Sequence, residues 1–144
     1  MSGGAHSSSR IVRFGRHVLA FEEPGVAIIT YHGDVDAGEM QVLCDVPDQE
    51  RHKGRFQLTL CDMRQLGAIS PEARKIGAQR SRPAAIYYTA YVGASFATRV
   101  VVSMWTRGAN FLQGPKNQVA FFDDMDAGRA WLRECYGRHT TTAG

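Results

Sequence analysis

Apolar and polar positions alternate in short runs along this chain, and longer stripes at helical spacing separate those runs. Arg16 to Glu22 and Val26 to His32 are rich in β-formers and flank Glu23-Pro24-Gly25, where proline presets φ and glycine accepts a positive φ. Together they predict a β-hairpin. After Gly33, Asp34 or Asp36 can cap a helix that carries Ala37, Met40, Leu43 and Cys44 on one face and ends at Pro47. The polar stretch Asp48 to Gly54 reads as a loop. Phe56 to Asp62 then sets Phe56, Leu58 and Leu60 against Gln57, Thr59 and Cys61, the period of a strand.

Ser70-Pro71-Glu72 is a strong helix start. Serine supplies a cap oxygen, proline suits the first helical position, and the glutamate faces the positive end of the dipole. This helix is expected to run to about Ser81. Ala85 to Val92 is aromatic and β-branched, predicting a strand that stops at Gly93. Ser95 then caps the longest helix, which places Ala97, Val101, Met104, Trp105 and Gly108 on one face and reaches Phe111 or Leu112 before Gly114-Pro115. Gln118 to Phe122 predicts a last strand. Asp123 or Asp124 caps a final helix whose Ala127, Ala130, Trp131 and Cys135 share a face and which Gly137 closes. The order β-β-α-β-α-β-α-β-α predicts an α/β fold. Its mixed, mostly parallel sheet has about five strands, with the N-terminal hairpin as an antiparallel edge, and is covered by about four helices.

Composition narrows the class. The chain has 144 residues, 44% apolar and 22% charged, which suits one domain of ordinary size. That domain is expected over residues 11–137. Residues 1–10 and 138–144 are expected to be disordered tails, because they have too little apolar surface to offset their ordering entropy. The net charge is +3 and the basic residues are scattered, so nucleic-acid binding gains no support. The longest apolar stretches, such as Val26 to Ile29, fall far short of the roughly 20 residues of a membrane span. Met1 to Ala5 lacks the features of a signal peptide, so a cytoplasmic location is expected. Cys44, Cys61 and Cys135 are three, widely spaced and without a C-x-x-C pair, and each falls in an apolar pattern. They are expected in the core, with neither a disulfide framework nor a zinc site. No cofactor or metal is called for.

Three stretches carry a family resemblance: Leu60-Cys61-Asp62-Met63 followed by Ile69-Ser70-Pro71-Glu72-Ala73-Arg74, the long helix after Val92-Gly93, and the closing run from Phe121-Phe122-Asp123-Asp124 to Ala130-Trp131-Leu132. With the element order, they make Val12 to Tyr136 resemble the STAS superfamily, in particular its SpoIIAA-like group, which is also similar to the CRAL-TRIO lipid-binding fold. The resemblance implies a small regulatory or interaction module rather than a catalyst. In anti-sigma-factor antagonists of that superfamily, a phosphorylated serine directly follows an Asp at the end of the central strand. Here Met63 and Arg64 follow Asp62, and Ser70 is the nearest serine.

Several residues are candidates for function. Ser70 is a candidate phosphosite or anion site as well as a helix cap, and Gly93 to Ser95 form a candidate backbone anion site. Asp62 and Arg64 stand at the expected carboxyl edge of the sheet, where ligands of open α/β sheets bind. Strand, turn, Ser95 and helix also resemble a nucleophile elbow, with Asp123 and His139 following in hydrolase order. His32, Asp34 and Asp36 are close in sequence but lack a third well-spaced metal ligand. In the long helix, Val100, Val101 and Val102 point in different directions and Trp105 follows Met104. The apolar surface is wider than one core stripe requires. Val101, Val102, Met104 and Trp105 therefore mark a candidate interface or the wall of an apolar pocket, with Tyr87, Tyr88 and Tyr91 in the same region. Three functions follow: a non-enzymatic module docking a protein partner or a second copy, a binder of a lipid or other apolar small molecule, and a small serine hydrolase centred on Ser95.

Overall fold

The computed structural model describes residues 11–45, 55–79 and 86–140. Pro47, the expected loop from Asp48 to Gly54, Ser81, Ala85 and the terminal segments 1–10 and 141–144 lie outside the described residues. The elements are β1 (Ile11–Phe14), β2 (His17–Glu22), β3 (Val26–Thr30), β4 (Gly33–Val35), α1 (Ala37–Asp45), β5 (Phe56–Asp62) and β6 (Leu66–Ile69). They continue with α2 (Pro71–Gln79), β7 (Ile86–Val92), α3 (Phe96–Gln113), β8 (Asn117–Phe122) and α4 (Met125–Thr140). Six strands form one sheet in the order β1-β2-β3-β5-β7-β8, and β4 pairs with β6 in a small second sheet. The first two pairings are antiparallel and the other three in the main sheet are parallel. The fold class is the one expected, with β1 added at the hairpin edge.

Alternation along β3 and β5 feeds two cores. Leu58 and Leu60 join Val26, Ile28, Tyr88, Ala90 and Val92 on one face, closed by Leu132 and Cys135 of α4. Cys61 joins Leu19, Ala27 and Ile29 on the other, closed by Leu43 of α1 and Ala73 of α2. Both sides of β5 are thus covered, as befits a central strand with parallel neighbours. The three cysteines are buried free thiols, and burial pushes that of Cys135 up. Close packing also explains Gly128. A Cβ there would stand 2.7 Å from Leu60 Cδ1 and 3.2 Å from Val92 Cγ2.

Two expectations about the helices change. α4 runs through Gly137 to Thr140, so the helix does not close where glycine was expected to stop it. His139 accounts for the extension: its ring stacks on Phe56 with centroids 4.1 Å apart, and its Nε2 lies 2.9 Å from the Tyr88 hydroxyl. Burial of the ring, with help from Arg55 and Arg138, holds its pKa below the ordinary histidine value. α3 departs further. Its seat is against β8, and Thr106 is its buried residue. Val101 and Met104 point outward, while Val102 and Trp105 are half-buried. No described helix is long and apolar enough to cross a membrane.

Candidate functional site

The carboxyl ends of β3, β5, β7 and β8 meet at one edge, where backbone bonds continue past the strands. Tyr31 N–H donates to the Asp62 carbonyl at 3.3 Å, Met63 N–H to Val92 at 2.8 Å, and Gly93 N–H to Phe122 at 2.9 Å. Asp62 ends β5 with its side chain turned back onto Arg64. Its Oδ1 accepts from Arg64 N–H at 3.1 Å and from Nε at 2.9 Å, and its Oδ2 accepts from Nη2 at 2.7 Å. These bonds hold the carboxyl below the usual carboxylate range against the opposing effect of burial. The Asp62 side chain is 10% exposed and that of Arg64 56%. Gly93, at φ 71°, leaves room for the Arg64 stem, since any Cβ there would overlap its Cγ. Sequence reasoning paired these residues as neighbours of an edge. The geometry makes them one fixed unit, and because the Gly93 amide is committed to Phe122 it is not free to hold an anion.

Ser95 caps α3. Its Oγ accepts from Thr98 N–H at 3.2 Å and donates to Thr98 Oγ1 at 3.0 Å. Asp123 lies nearby, 3.5 Å from Arg99 Nη2 and 97% exposed. His139 does not join them. It packs on Phe56 and Tyr88 toward the opposite ends of β5 and β7, on the order of 20 Å from Ser95 by strand rise. The hydrolase constellation of Ser95, Asp123 and His139 is therefore not assembled.

Ser70 caps α2 by accepting from Ala73 N–H at 3.0 Å, and it lines a cleft of about 360 Å³ with Arg16, His17, Asp34, Asp36 and Glu39. His17, 1% exposed, is the centre of this cleft's wall. Its Nδ1 accepts from His32 N–H at 3.0 Å, so the proton sits on Nε2, which faces the Asp34 carbonyl at 2.9 Å and Glu39 Oε1 at 3.4 Å. Glu39 and Asp36 also form a reciprocal capping box at the start of α1, with bonds of 2.9 and 2.8 Å. His32 instead meets Gln65, 3.1 Å from Oε1. Among the described residues lining the cleft, a phosphate on Ser70 would face the carboxylates of Asp34, Asp36 and Glu39 against the guanidinium of Arg16, which is unfavourable electrostatics for an anion. The histidine ties β2 to the link between β3 and β4, to β4 itself and to α1. Sequence reasoning missed it because its partners lie 15 to 22 residues away.

The outer face of α3 is the second distinctive surface. Phe96 is 81% exposed, Val101 57%, Met104 65%, Phe111 87% and Leu112 82%; with Val100 and Ile11 they are the exposed large hydrophobic residues among those described. An open groove of about 440 Å³ runs beside this stripe, lined by Phe96, Val100 and Met104, by Arg99 and Arg107, and by Phe121 of β8. The Arg99 guanidinium lies 5.5 Å from the Phe121 ring centroid. The expected interface residues thus divide: Val101 and Met104 belong to the exposed stripe, and Val102 and Trp105 to its half-buried flanks. Phe96, Phe111 and Leu112 belong to it as well. Spacing carried that signal, since 96, 100, 104, 108 and 111 lie on one side of a helix.

A six-stranded sheet, antiparallel at the hairpin edge and parallel beyond it, with α1 and α2 on one face and α4 on the other, defines a SpoIIAA-like fold. No protein-family model matches the chain, and no curated protein matches it. Among solved structures, an uncharacterized protein of the DUF3478 family with a SpoIIAA-like fold, from Shewanella loihica PV-4, is similar at a TM-score of 0.50. It is 17% identical, and the match covers 86% of this chain and 91% of that one. Likeness at that identity shows the fold.

Proposed function

We propose that the protein is a regulatory or protein-interaction module, without a catalytic centre of its own, that docks a partner protein through the outer face of α3. The observation that carries this reading is the clustering of exposed apolar side chains on one helix. Single exposed apolar residues need no explanation, but a continuous stripe rimmed by polar groups marks an interaction surface. The carboxyl edge supports the same reading. Its Asp62–Arg64 unit and its Ser95 cap are satisfied within the chain, which leaves no activated nucleophile among the described residues there.

A photo-crosslinking amino acid at Met104, with the exposed Lys75 of α2 as control, tests this in cells. The expected result is a discrete protein adduct from position 104, lost when Val101→Glu is added, and none from position 75. Equal labelling at both positions, or no adduct at 104, would overturn the proposal.

A further inference from the structure

Resting on the reading that α3 docks a protein, we infer that the protein on this face is a second copy of the chain, with the two α3 helices antiparallel about a two-fold axis near Met104. The argument begins with charge along the stripe. At its N-terminal end lies the acidic turn of Asp123 and Asp124, with the Asp123 carboxylate exposed beside Arg99. Eight residues further along the helix, about 12 Å at helical rise, Arg107 stands at the rim of the groove and makes no ion pair with a described residue. One end of the stripe therefore carries two carboxylates, Asp123 and Asp124, against the single guanidinium of Arg99, and the other carries Arg107 without a carboxylate beside it among the described residues.

Such a pattern is complementary to its own reverse. In an antiparallel pair each flank of one helix meets the same flank of the other, so the β8 side faces the β8 side. With the axis near Met104, Arg107 comes opposite Asp123 of the partner subunit, and the converse pair forms at the other end. The apolar positions match in the same register. Phe96 faces the partner's Leu112, and Val100 faces the partner's Gly108, where nothing lies within 4 Å of the position a Cβ would take. A parallel arrangement would set Arg107 against the partner's Thr98 and Trp105 flank, where α3 offers no carboxylate. An anionic membrane surface fits less well, because Asp123, Asp124 and Asp126 would face it at one end of the stripe.

Sedimentation across a concentration series, with circular dichroism to confirm folding, tests the inference on the full chain. The wild type is expected to dimerise and Met104→Glu to be monomeric. Arg107→Asp and Asp123→Arg should each weaken dimerisation by about tenfold, and the double variant should restore it, because opposite charges again meet across the axis. If Met104→Glu abolishes the dimer but the double reversal is no better than its parents, α3 remains the interface and the antiparallel register is overturned. A dimer indifferent to Met104→Glu overturns the docking face itself. A monomeric wild type at every concentration overturns the second copy, while an adduct at position 104 in the crosslinking experiment would still uphold docking of another protein.

Discussion

Asp62 commits both carboxylate oxygens to Arg64, and this one side-chain pair decides how the carboxyl edge behaves. The Asp62 pKa is depressed in the folded protein, chiefly by the hydrogen bonds from Arg64. An unfolded chain binds that proton more readily, near the ordinary aspartate value of 3.8. The stability contributed by the pair is therefore fully present above that value and is lost as pH falls through the lower folded value. Because the Arg64 side chain is more than half exposed, solvent screening keeps the contribution small. Arg64→Ala should lower stability slightly near neutral pH, and denaturant titrations of wild type and variant should converge in strong acid, once the Asp62 carboxyl is protonated in both states. A difference that persisted in strong acid would contradict the pairing. Much of this pair was legible, since Asp62 ends a predicted strand and Arg64 follows two residues later. The role of Gly93 was not, because only the fold brings its missing Cβ against the Arg64 stem.

At the scale of elements, α3 and α4 are opposites that periodicity alone cannot separate. Both carry apolar residues at helical spacing. In α4 the fully buried Leu132 and Cys135 close one core, whereas α3 sits against β8 with Thr106 as its buried residue and no partner for the Thr106 Oγ1 among the described residues. Spacing tells which residues share a face; which way that face points depends on where the neighbouring strands end, and β8 is the edge of the sheet. Leu132→Ala should cost about 2–5 kcal/mol through lost burial and the cavity left behind. Val101→Ala should change monomer stability by less than about 0.5 kcal/mol. Chemical denaturation of both variants at low protein concentration checks the contrast, and equal losses would mean that the outer face of α3 is packed within the monomer. The short strands β4 and β6 and the edge strand β1 were not predicted for a related reason. Runs of three or four residues are too short to show a period, and β1 is recognised only through its pairing with β2 across Gly15.

For the whole molecule, the alternation of strands and helices sufficed to predict a mixed, mostly parallel sheet, because each βα unit is local and the handedness rule leaves few ways to assemble several of them. His17 was beyond reach for the opposite reason, since every group it binds comes from a different element. The functional reading rests on a property of the assembled molecule, an apolar stripe left on its surface while two cores fill elsewhere. Hydroxyl-radical footprinting of Met104 tests that reading most directly, since a methionine thioether is readily oxidised and this one is 65% exposed in the isolated chain. The account predicts slow oxidation of Met104 at the protein's concentration in cells and fast oxidation once the purified protein is diluted below its dissociation constant. Equally fast oxidation under both conditions would contradict a covered α3 face.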